Sequence, residues 1–408
     1  FKEYTEAWEQ RKLGELVGVY DGVHQTPEYQ DEGIMFLSVE NISTLQSEKY
    51  ISKEAFERDY KVYPEKGDIL MTRIGDVGTT NVVETSEKLA FYVSLALLKP
   101  NGIDPYFLSN AMKNYEFQKG LRERTLVTAI PQKINKDEIG KVPIFITVNI
   151  DEQAKIGSYF RHLDHLITLH QRKCEETKIL KKYMLQNMFP QNGSNIPKIR
   201  FNGFTNVWKQ RKLGDTLCSL QNNTLSRAEL TYEEGTIKNV HYGDILVKYG
   251  EVIDVKNEQL PNVIDNTITE KYKTSFLQNG DVIFADTAED ETVGKCSEIV
   301  GLTDEAALSG LHTIPYRPQL KFATGYLGYY LNSSVFHQQL IPLMQGIKVT
   351  SISKSAMQNT DIVYPKSFGE QEKIGAYFMH LDHLITLHQR KYEELLKIKE
   401  FMLKKMFV

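Results

Sequence analysis

The segment at positions 162–170 contains four potential metal ligands, His162, Asp164, His165 and His170. Imidazole and carboxylate groups bind zinc, and His162 and His165 would lie one helical turn apart, so they could share an ion. His170 comes five residues after His165, which places it on a different face of a helix. We therefore interpret this segment as a helix with polar histidines, and we predict no metal site and no cofactor.

Motifs for catalysis are incomplete. Gly75-Asp-Val-Gly78 is rich in glycine but lacks the Lys and Ser/Thr of a phosphate-binding loop, so we interpret it as a tight loop beside a recognition surface. The sequence has no G-x-S-x-G elbow, no H-E-x-x-H motif and no Pro-Pro-aromatic segment of the adenine methyltransferase type. Cys174, Cys218 and Cys296 are widely separated and odd in number, which indicates free thiols in a reducing cytoplasm. We predict that this chain is not an enzyme.

Contact with nucleic acid is the other chemistry to consider. It needs polar and basic side chains in loops, since these groups reach phosphates and base edges. The candidates are Thr72, Arg73, Arg122, Arg124, Thr128, Gln132, Lys133, Lys248, Tyr249, Lys348, Thr350, Ser351 and Lys354. Any one of them alone is more often an ordinary surface residue, but as groups they predict one basic face in each half of the chain.

Composition constrains the partners and the location. The 408 residues carry a formal net charge of −4, which argues mildly against nucleic acid as the sole partner, because phosphate-binding proteins usually have a basic balance. No apolar run approaches the roughly 18–20 residues that a membrane span needs. No signal peptide opens the sequence, so we expect a cytoplasmic protein whose natural start precedes Phe1.

An internal duplication indicates which elements position these residues. Residues 152–173 and 370–391 differ at only three of their 22 positions. A shorter box, Trp-Glu-Gln-Arg-Lys-Leu-Gly at 8–14, returns with one change at 208–214. The order is short box, variable region and long box, twice over, which indicates one fold used twice.

Each long box predicts one long helix. Apolar residues recur at spacings of four and three from Ile156 to Met188 and from Ile374 to Met406, the a/d pattern of a coiled coil. Lys181 and Lys399 interrupt this seam at equivalent places. Each helix would have about 37 residues and a length of about 55 Å. Because a stripe of this length needs a partner, we predict that the two helices pack on each other in antiparallel orientation about a pseudo-two-fold axis.

Polar residues outside the seam recur as well, although seam packing does not require it. They are Asp164, His165, Thr168, Gln171 and Arg172 in the first copy, and Asp382, His383, Thr386, Gln389 and Arg390 in the second. We predict that each copy binds the same partner, so that two identical partners dock. The alternative is a recent duplication in which these positions have not drifted.

The variable regions predict an α+β fold. Short β-like runs at 34–39, 93–98 and 282–284 are separated by Gly and Asp turns, and each half has one clear helix, at 106–118 and from Thr324 to Leu340. A weak echo matches Val127-Thr-Ala-Ile with Val349-Thr-Ser-Ile. The predicted segments are a first variable domain (1–150), a first long helix (151–190), a linker (191–205), a second variable domain (206–368) and a second long helix (369–408).

The whole pattern resembles the specificity subunit of Type I restriction-modification systems. The resemblance rests on the two W-x-Q-R-K-L-G openings and the two E-Q-x-K-I-G-x-Y-F-x-x-L-D-x-L-I-T-L-H-Q-R-K helices, and it covers nearly the whole chain. It implies that each variable region reads one half of an asymmetric, bipartite site in double-stranded DNA, and that the helices set the gap. It also implies two adenine methyltransferase subunits and two ATP-dependent restriction/translocase subunits as partners.

Two other functions are compatible with the residues alone. One is a coiled-coil scaffold that organises other proteins without reading DNA, and the other is an enzyme with an unrecognised site in a variable region. Salt-sensitive, sequence-dependent DNA binding would distinguish the first function from DNA recognition. The second would require turnover on DNA without any partner.

Overall fold

The computed structural model describes Tyr4, residues 6–191 and residues 193–407. The chain divides into two compact units. Unit 1 comprises residues 1–171 and 389–408, and unit 2 comprises residues 172–388. Each unit therefore combines one variable region with a part of each long helix.

Unit 1 mixes strands and short helices. Its strands are β1 (Glu9–Lys12), β2 (Val17–Asp21), β3 (Ile34–Leu37), β4 (Tyr50–Ile51), β5 (Ile69–Thr72), β6 (Thr80–Val82), β7 (Leu89–Phe91), β8 (Leu95–Pro100) and β9 (Pro143–Ile146). Its short helices are α1 (Leu13–Leu16), α2 (Lys53–Asp59), α3 (Pro105–Ala111), α4 (Tyr115–Arg124) and α5 (Lys136–Gly140), with a 3-10 turn at Val39–Asn41. The first long helix, α6 (Ile150–Asn187), contributes residues to both units.

The main sheet of unit 1 has the antiparallel order β2-β8-β5-β6 and separates two hydrophobic cores. Ile69 and Met71 of β5 face a core shared with α3, α4 and the long helices, whereas Leu70 faces a second core with the small sheet β4-β3-β7. Side chains alternate along a strand, so a strand covered on both faces is apolar at every position. This explains why β5 reads as a continuous apolar run.

Unit 2 contains the following elements. Its strands are β10 (Lys209–Lys212), β11 (Leu217–Ser219), β12 (Leu230–Thr231), β13 (Ile237–Val240), β14 (Val252–Asp254), β15 (Asn262–Val263), β16 (Val282–Ala285), β17 (Thr287–Ala288), β18 (Cys296–Val300), β19 (Ala306–Ser309), β20 (Thr313–Pro318), β21 (Thr350–Ser351) and β22 (Asp361–Tyr364). Its helices are α7 (Leu213–Thr216), α8 (Tyr242–Val247), α9 (Tyr326–Leu331), α10 (Ser334–Leu340) and α11 (Lys354–Gln358), with 3-10 segments at Arg227–Glu229, Asn266–Ser275 and Ile341–Leu343. The second long helix, α12 (Phe368–Met406), contributes to both units.

The main sheet of unit 2 repeats the topology of unit 1. Its order β11-β20-β16-β18 matches β2-β8-β5-β6 in sequence order and in antiparallel pairing, and β14 extends it by one parallel strand. Central strand β16 again faces two cores, with Phe284 in one and Ile283 in the other. The short boxes have one role in both units, since β1 pairs with β9 and β10 pairs with β22. The expected α+β content and the repeated domain are confirmed.

Each helix predicted in the variable regions is helical in the structure but is divided into two shorter helices. The Asp104 carboxylate accepts from the Phe107 N–H at 2.8 Å and Pro105 is the first helical residue, as expected for this start. The single helix over 106–118 is wrong, because α3 ends and α4 begins with Asn114 as a new N-cap, whose oxygen accepts from the Glu116 N–H at 2.8 Å. The second half breaks at the equivalent point, between α9 and α10.

The long helices have 38 and 39 residues and contact each other within each unit. In unit 1, Phe407 near the end of α12 lies 5.8 Å from Phe160 near the start of α6, measured between ring centroids. In unit 2, Phe189 just beyond α6 lies 5.9 Å from Phe378 of α12. In both units, therefore, the end of one long helix meets the beginning of the other.

Candidate nucleic-acid interface

In unit 1 a hairpin loop connects α4 to α5 over residues 125–135. Its base is closed by backbone hydrogen bonds between Leu126 and Lys133, with the Leu126 N–H 2.8 Å from the Lys133 oxygen. The turn after β5 holds the loop, because the Gly75 N–H donates to the Gln132 carbonyl at 2.8 Å and Gln132 Nε2 donates back to Gly75 O at 2.9 Å. These contacts fix the loop to the end of the central strand.

Unit 2 has a hairpin loop at 345–352. Gln345 and Ser351 exchange backbone hydrogen bonds of 2.9 and 2.8 Å. Strand β21 in this loop pairs with β17, which follows central strand β16. Gly346 has a φ of 120°, and a Cβ at this residue would collide with the Val349 carbonyl oxygen, so the turn requires glycine. This loop is therefore also fixed beside the end of a central strand.

One backbone contact defines the equivalence of the two loops. The Ile134 N–H donates to Arg73 O at 3.0 Å, and the Ile352 N–H donates to Asp286 O at 2.9 Å. Both isoleucines are buried, and each lies two residues before a short helix, α5 or α11. The predicted correspondence of residues 127–130 with 349–352 has the wrong register. Ile130 is exposed at a loop tip, whereas Ile352 is a core residue and corresponds to Ile134.

The predicted contact residues of unit 1 fall into two groups. Arg122, Thr128, Gln132 and Lys133 are exposed, on the loop or on the last turn of α4. Arg124 is half-buried, and its guanidinium donates to the Gly120 carbonyl at 2.9 Å. These residues form a polar and basic surface around the loop.

Thr72 and Arg73 lie beneath that surface and are buried. The Thr72 hydroxyl donates to Asp76 at 3.1 Å. Arg73 forms an ion pair with Asp21, and its Nε donates to Ile134 O at 3.1 Å, while burial lowers the pKa of its guanidinium. Arg73 thus holds the base of the loop, and Thr72 holds the turn after β5 on which the loop is anchored.

The predicted residues of unit 2 are more dispersed. Lys348 and Ser351 are exposed on the hairpin loop, and Thr350 beside them is half-buried. Lys354 donates from Nζ to the Leu220 carbonyl at 3.0 Å. These four residues are close in sequence, and the hairpin and α11 place them in one part of the unit.

Lys248 and Tyr249 belong to another part of unit 2. Lys248 is exposed, donates to the Gln259 carbonyl and lies 5.2 Å from the ring centre of Tyr232. Tyr249 is buried, and burial raises the pKa of its phenol. Their contacts with Gln259 and Tyr232 lie outside the hairpin loop.

A cluster of side chains that could bind a metal ion is absent from the part of the chain that the structure describes. Among residues 4, 6–191 and 193–407, no group of three or more His, Cys, Asp or Glu side chains is arranged to hold a metal ion. Within the same ranges, no helix has both the length and the apolar character that crossing a membrane requires.

Comparison with known proteins gives the family. The sequence model of the family described as the Type I restriction modification DNA specificity domain matches residues 5–178 and 206–397. The chain belongs to this family. No curated protein matches this specificity chain in sequence.

Solved structures of specificity subunits resemble the chain in fold. The crystal structure of the S subunit of a Type I restriction-modification system from M. genitalium has a TM-score of 0.61 and 14% identity, over 98% of this chain and 96% of that chain. The crystal structure of the HsdS subunit from Thermoanaerobacter tengcongensis has a TM-score of 0.44 and 16% identity, over 98% of this chain and 96% of that chain. The first of these likenesses shows a shared fold along the length of the specificity chain.

The predicted partner-binding residues of the specificity chain are mostly exposed, and the pattern is the same in both repeats. The exposed ones are His165, Thr168, Gln171, Arg172, His383, Thr386, Gln389 and Arg390. Asp164, His165 and Thr168 also line a groove of about 710 Å³ in unit 1, which Asn81 and Lys113 line as well.

The two aspartates of that set have a role inside the units that sequence reasoning missed. Asp164 pairs with Lys399 in unit 1, and Asp382 lies 2.6 Å from Lys181 Nζ in unit 2. Asp382 also accepts from the Tyr329 hydroxyl at 2.6 Å, and burial raises the pKa of its carboxyl. The lysines that interrupt the seam are thus paired with the opposite long helix, so these aspartates do not simply face outward.

A repeated apolar pair on the helices was also missed. Leu180 and Tyr183 of unit 2 are exposed, and so are Ile398 and Phe401 at the equivalent positions in unit 1. These residues lie outside the a/d seam, so the seam pattern does not bury them. An apolar residue at the same non-seam position of both repeats is the sequence signal that would have found them.

Proposed function

We propose that this specificity chain binds double-stranded DNA and reads an asymmetric, bipartite target, one part with each unit. The observation that carries the proposal is the pair of hairpin loops, which share an anchoring contact but differ in side chains. Gln132 and Lys133 occupy the positions that Thr350 and Ser351 occupy in unit 2. Because different side chains match different base edges, two unlike half-sites are expected.

The proposed contacts are the exposed residues of the loops and their surroundings. Arg122, Lys133 and Lys348 would bind phosphates, and Thr128, Gln132 and Ser351 would reach base edges. Thr72, Arg73 and Tyr249 are buried, so for them we propose a supporting role beneath the contact surface. The remaining predicted residues, Arg124, Lys248, Thr350 and Lys354, stay proposed contacts.

We further propose that the long helices pair along their full length as an antiparallel coiled coil with pseudo-two-fold symmetry. The contacts inside each unit support this, since the end of one helix meets the beginning of the other. A helix of 38 residues is about 57 Å long, which exceeds the roughly 34–36 Å between DNA half-sites one turn apart. Such a pair would set the length of the unspecified gap.

The proposed partners are two adenine methyltransferase subunits, and two ATP-dependent restriction/translocase subunits for cleavage. The repeated polar face and the repeated apolar pair would each present the same surface twice, which suits two identical partners. In this proposal the chain is a non-catalytic cytoplasmic subunit that directs adenine methylation and cleavage by those partners.

The test is a methylation map. The chain and its methylation subunit are co-expressed in a host without DNA methylation, and modified adenines are located by long-read sequencing. A split motif of two unlike half-sites with a constant gap would support the proposal. No new motif, with both proteins soluble and co-purifying, would favour a scaffold that does not read DNA.

The role of the helices has its own test. Inserting one heptad into each long helix keeps the seam in register and should lengthen the gap while both half-sites stay the same. An unchanged gap in the methylation map would reject this role. Replacing one unit by that of another specificity chain is the matched control, because it should change one half-site and leave the gap as it is.

The apolar pair is tested by partner binding. Leu180→Ser combined with Ile398→Ser should weaken co-purification of the methylation subunit, because both exposed side chains would contribute apolar contact area. His24→Ser with Ile264→Ser, two exposed residues of the variable regions, serves as the control. If both double variants co-purify with the same amount of methylation subunit, Leu180 and Ile398 do not belong to the partner-binding surface.

A further inference from the structure

The tips of the two hairpin loops each present a fully exposed isoleucine. Ile130 in unit 1 and Ile347 in unit 2 have the highest exposure of the large apolar side chains in the described ranges. Isolated exposed apolar residues are common on protein surfaces, but these two occur on equivalent loops of two units whose loop sequences otherwise differ. The shared feature therefore calls for a shared contact.

Neither isoleucine contributes to the core of its own unit. Both loops are nonetheless held in place, by the Leu126–Lys133 and Gln345–Ser351 hydrogen bonds and by the neighbouring turn after the central strand. Isoleucine is branched at Cβ and has few side-chain conformations, so little entropy is lost when it inserts into another surface. A stiff apolar group on an anchored loop is suited to insertion.

The charge around the loops selects DNA as the surface. The loops at 125–135 and 345–352 each contain one lysine, Lys133 or Lys348, and no acidic residue. The neighbouring turn at 289–291 is acidic, and carboxylates there can accept from the amino group of cytosine. Basic groups beside an apolar tip match phosphates beside stacked bases.

We propose that Ile130 and Ile347 each insert between adjacent base pairs of one half-site and unstack them. Apolar side chains act in this way in proteins that kink DNA, and the step that opens most easily is then preferred. The inference rests on the proposed DNA recognition and adds a mechanism by which each unit selects a deformable step. Lys348, next to its loop tip, and Lys133, at the base of its loop, would each hold a nearby phosphate.

The experiment measures base stacking in the complex of the full chain with its methylation subunit. Duplexes that contain the mapped target carry 2-aminopurine at one position at a time, outside the methylated adenines, because its fluorescence rises when stacking is lost. The variants are Ile130→Ala and Ile347→Ala. Ile196→Ala, an exposed isoleucine of the linker, is the matched control.

The wild-type complex should show a fluorescence rise at one step in each half-site. Each tip variant should lose the rise in its own half-site only, with an affinity loss of about tenfold, and Ile196→Ala should behave as wild type. A conservative Ile130→Leu change should restore the signal. Thermal melting of the tip variants should match wild type, since a fully exposed side chain adds nothing to the core.

Three results would overturn the proposal. The fluorescence rise could persist in both tip variants, the target could stay stacked throughout while affinity falls, or the tip variants could lose the methylation subunit instead of DNA. Failure of the proposed function is a different result, namely that the wild-type complex binds no duplex in a sequence-dependent way.

Discussion

Lys181 offers the sharpest test of how the long helices are held together in unit 2. Its Nζ lies 2.8 Å from Glu251 and 2.6 Å from Asp382, and only 14% of its side chain is exposed. Lys181→Met keeps the apolar stem but leaves two carboxylates facing each other without a counter-charge. Breaking a buried ion pair costs about 3–5 kcal/mol, and the partial exposure of both carboxylates reduces the expected loss of unfolding free energy to about 2 kcal/mol.

The loss should depend on pH in a defined direction. Burial raises the pKa of Asp382 and Lys181 opposes that shift, so the variant raises this pKa further. A carboxyl whose folded pKa lies above its unfolded value loses stability as the pH rises through that range. The deficit of Lys181→Met should therefore shrink between pH 7 and pH 5, where a proton can replace the missing charge.

The assay is urea denaturation at both pH values, with the midpoint and slope fitted for each variant. Lys178→Met is the matched control, because Lys178 is exposed and its ion pair with Glu175 is at the surface, so its loss should stay below about 0.5 kcal/mol. For Lys399→Met in unit 1 the loss of unfolding free energy should lie between these two values, since it leaves one carboxylate, Asp164, without its ion pair. If Lys181→Met and Lys178→Met have the same midpoint at pH 7, the ion pairs do not stabilise the helix contact.

Three further predictions concern burial and backbone. Burial raises the pKa of Glu298 to about 7, so stability should fall by about 3 kcal/mol as the pH rises from 4.5 to 7, and Glu298→Gln should flatten this slope in thermal melts. Phe189→Ala removes a fully buried ring that contacts Trp208 and Phe378. The free energy of unfolding in urea denaturation should fall by about 3–4 kcal/mol. A midpoint near that of wild type would contradict this packing. Gly346→Ala places a Cβ against a carbonyl oxygen at positive φ and should destabilise the folded loop by about 1–3 kcal/mol. Proteolysis of the loop should therefore be faster. Unchanged cleavage would show that the loop tolerates the side chain.

The recurrence of the short and long boxes has a physical explanation in the cores. Trp8 contacts Phe407 in unit 1, and Trp208 contacts Phe189 in unit 2, so each short box packs on the phenylalanine that follows the end of a long helix. Substituting a residue in such a contact disrupts the packing unless its neighbours are substituted as well, whereas a surface loop residue can be substituted alone. The boxes could thus be recognised from the sequence, together with the long helices and the family.

The exposure of the loop residues could not be predicted in the same way. Arg73 and Lys133 have similar side chains and both follow apolar segments, yet Arg73 is buried against Asp21 and Lys133 is exposed. The partner of Arg73 lies 52 positions away in the chain, and local patterns contain no information about which distant segment covers a residue. For the same reason the sequence does not distinguish Ile130, which is exposed at the loop tip, from Ile134, which is buried.

The sequence by itself therefore determined the duplication, the two long helices, the mixed α+β domains and membership of the specificity family. Each of these depends on periodicity or repetition, which are properties of the chain order. Only the tertiary structure decided which side chains surround the two loops, and that Asp164 and Asp382 pair with lysines of the opposite helix. These outcomes depend on contacts between distant segments, and such contacts exist only once the strands have paired and the cores have closed.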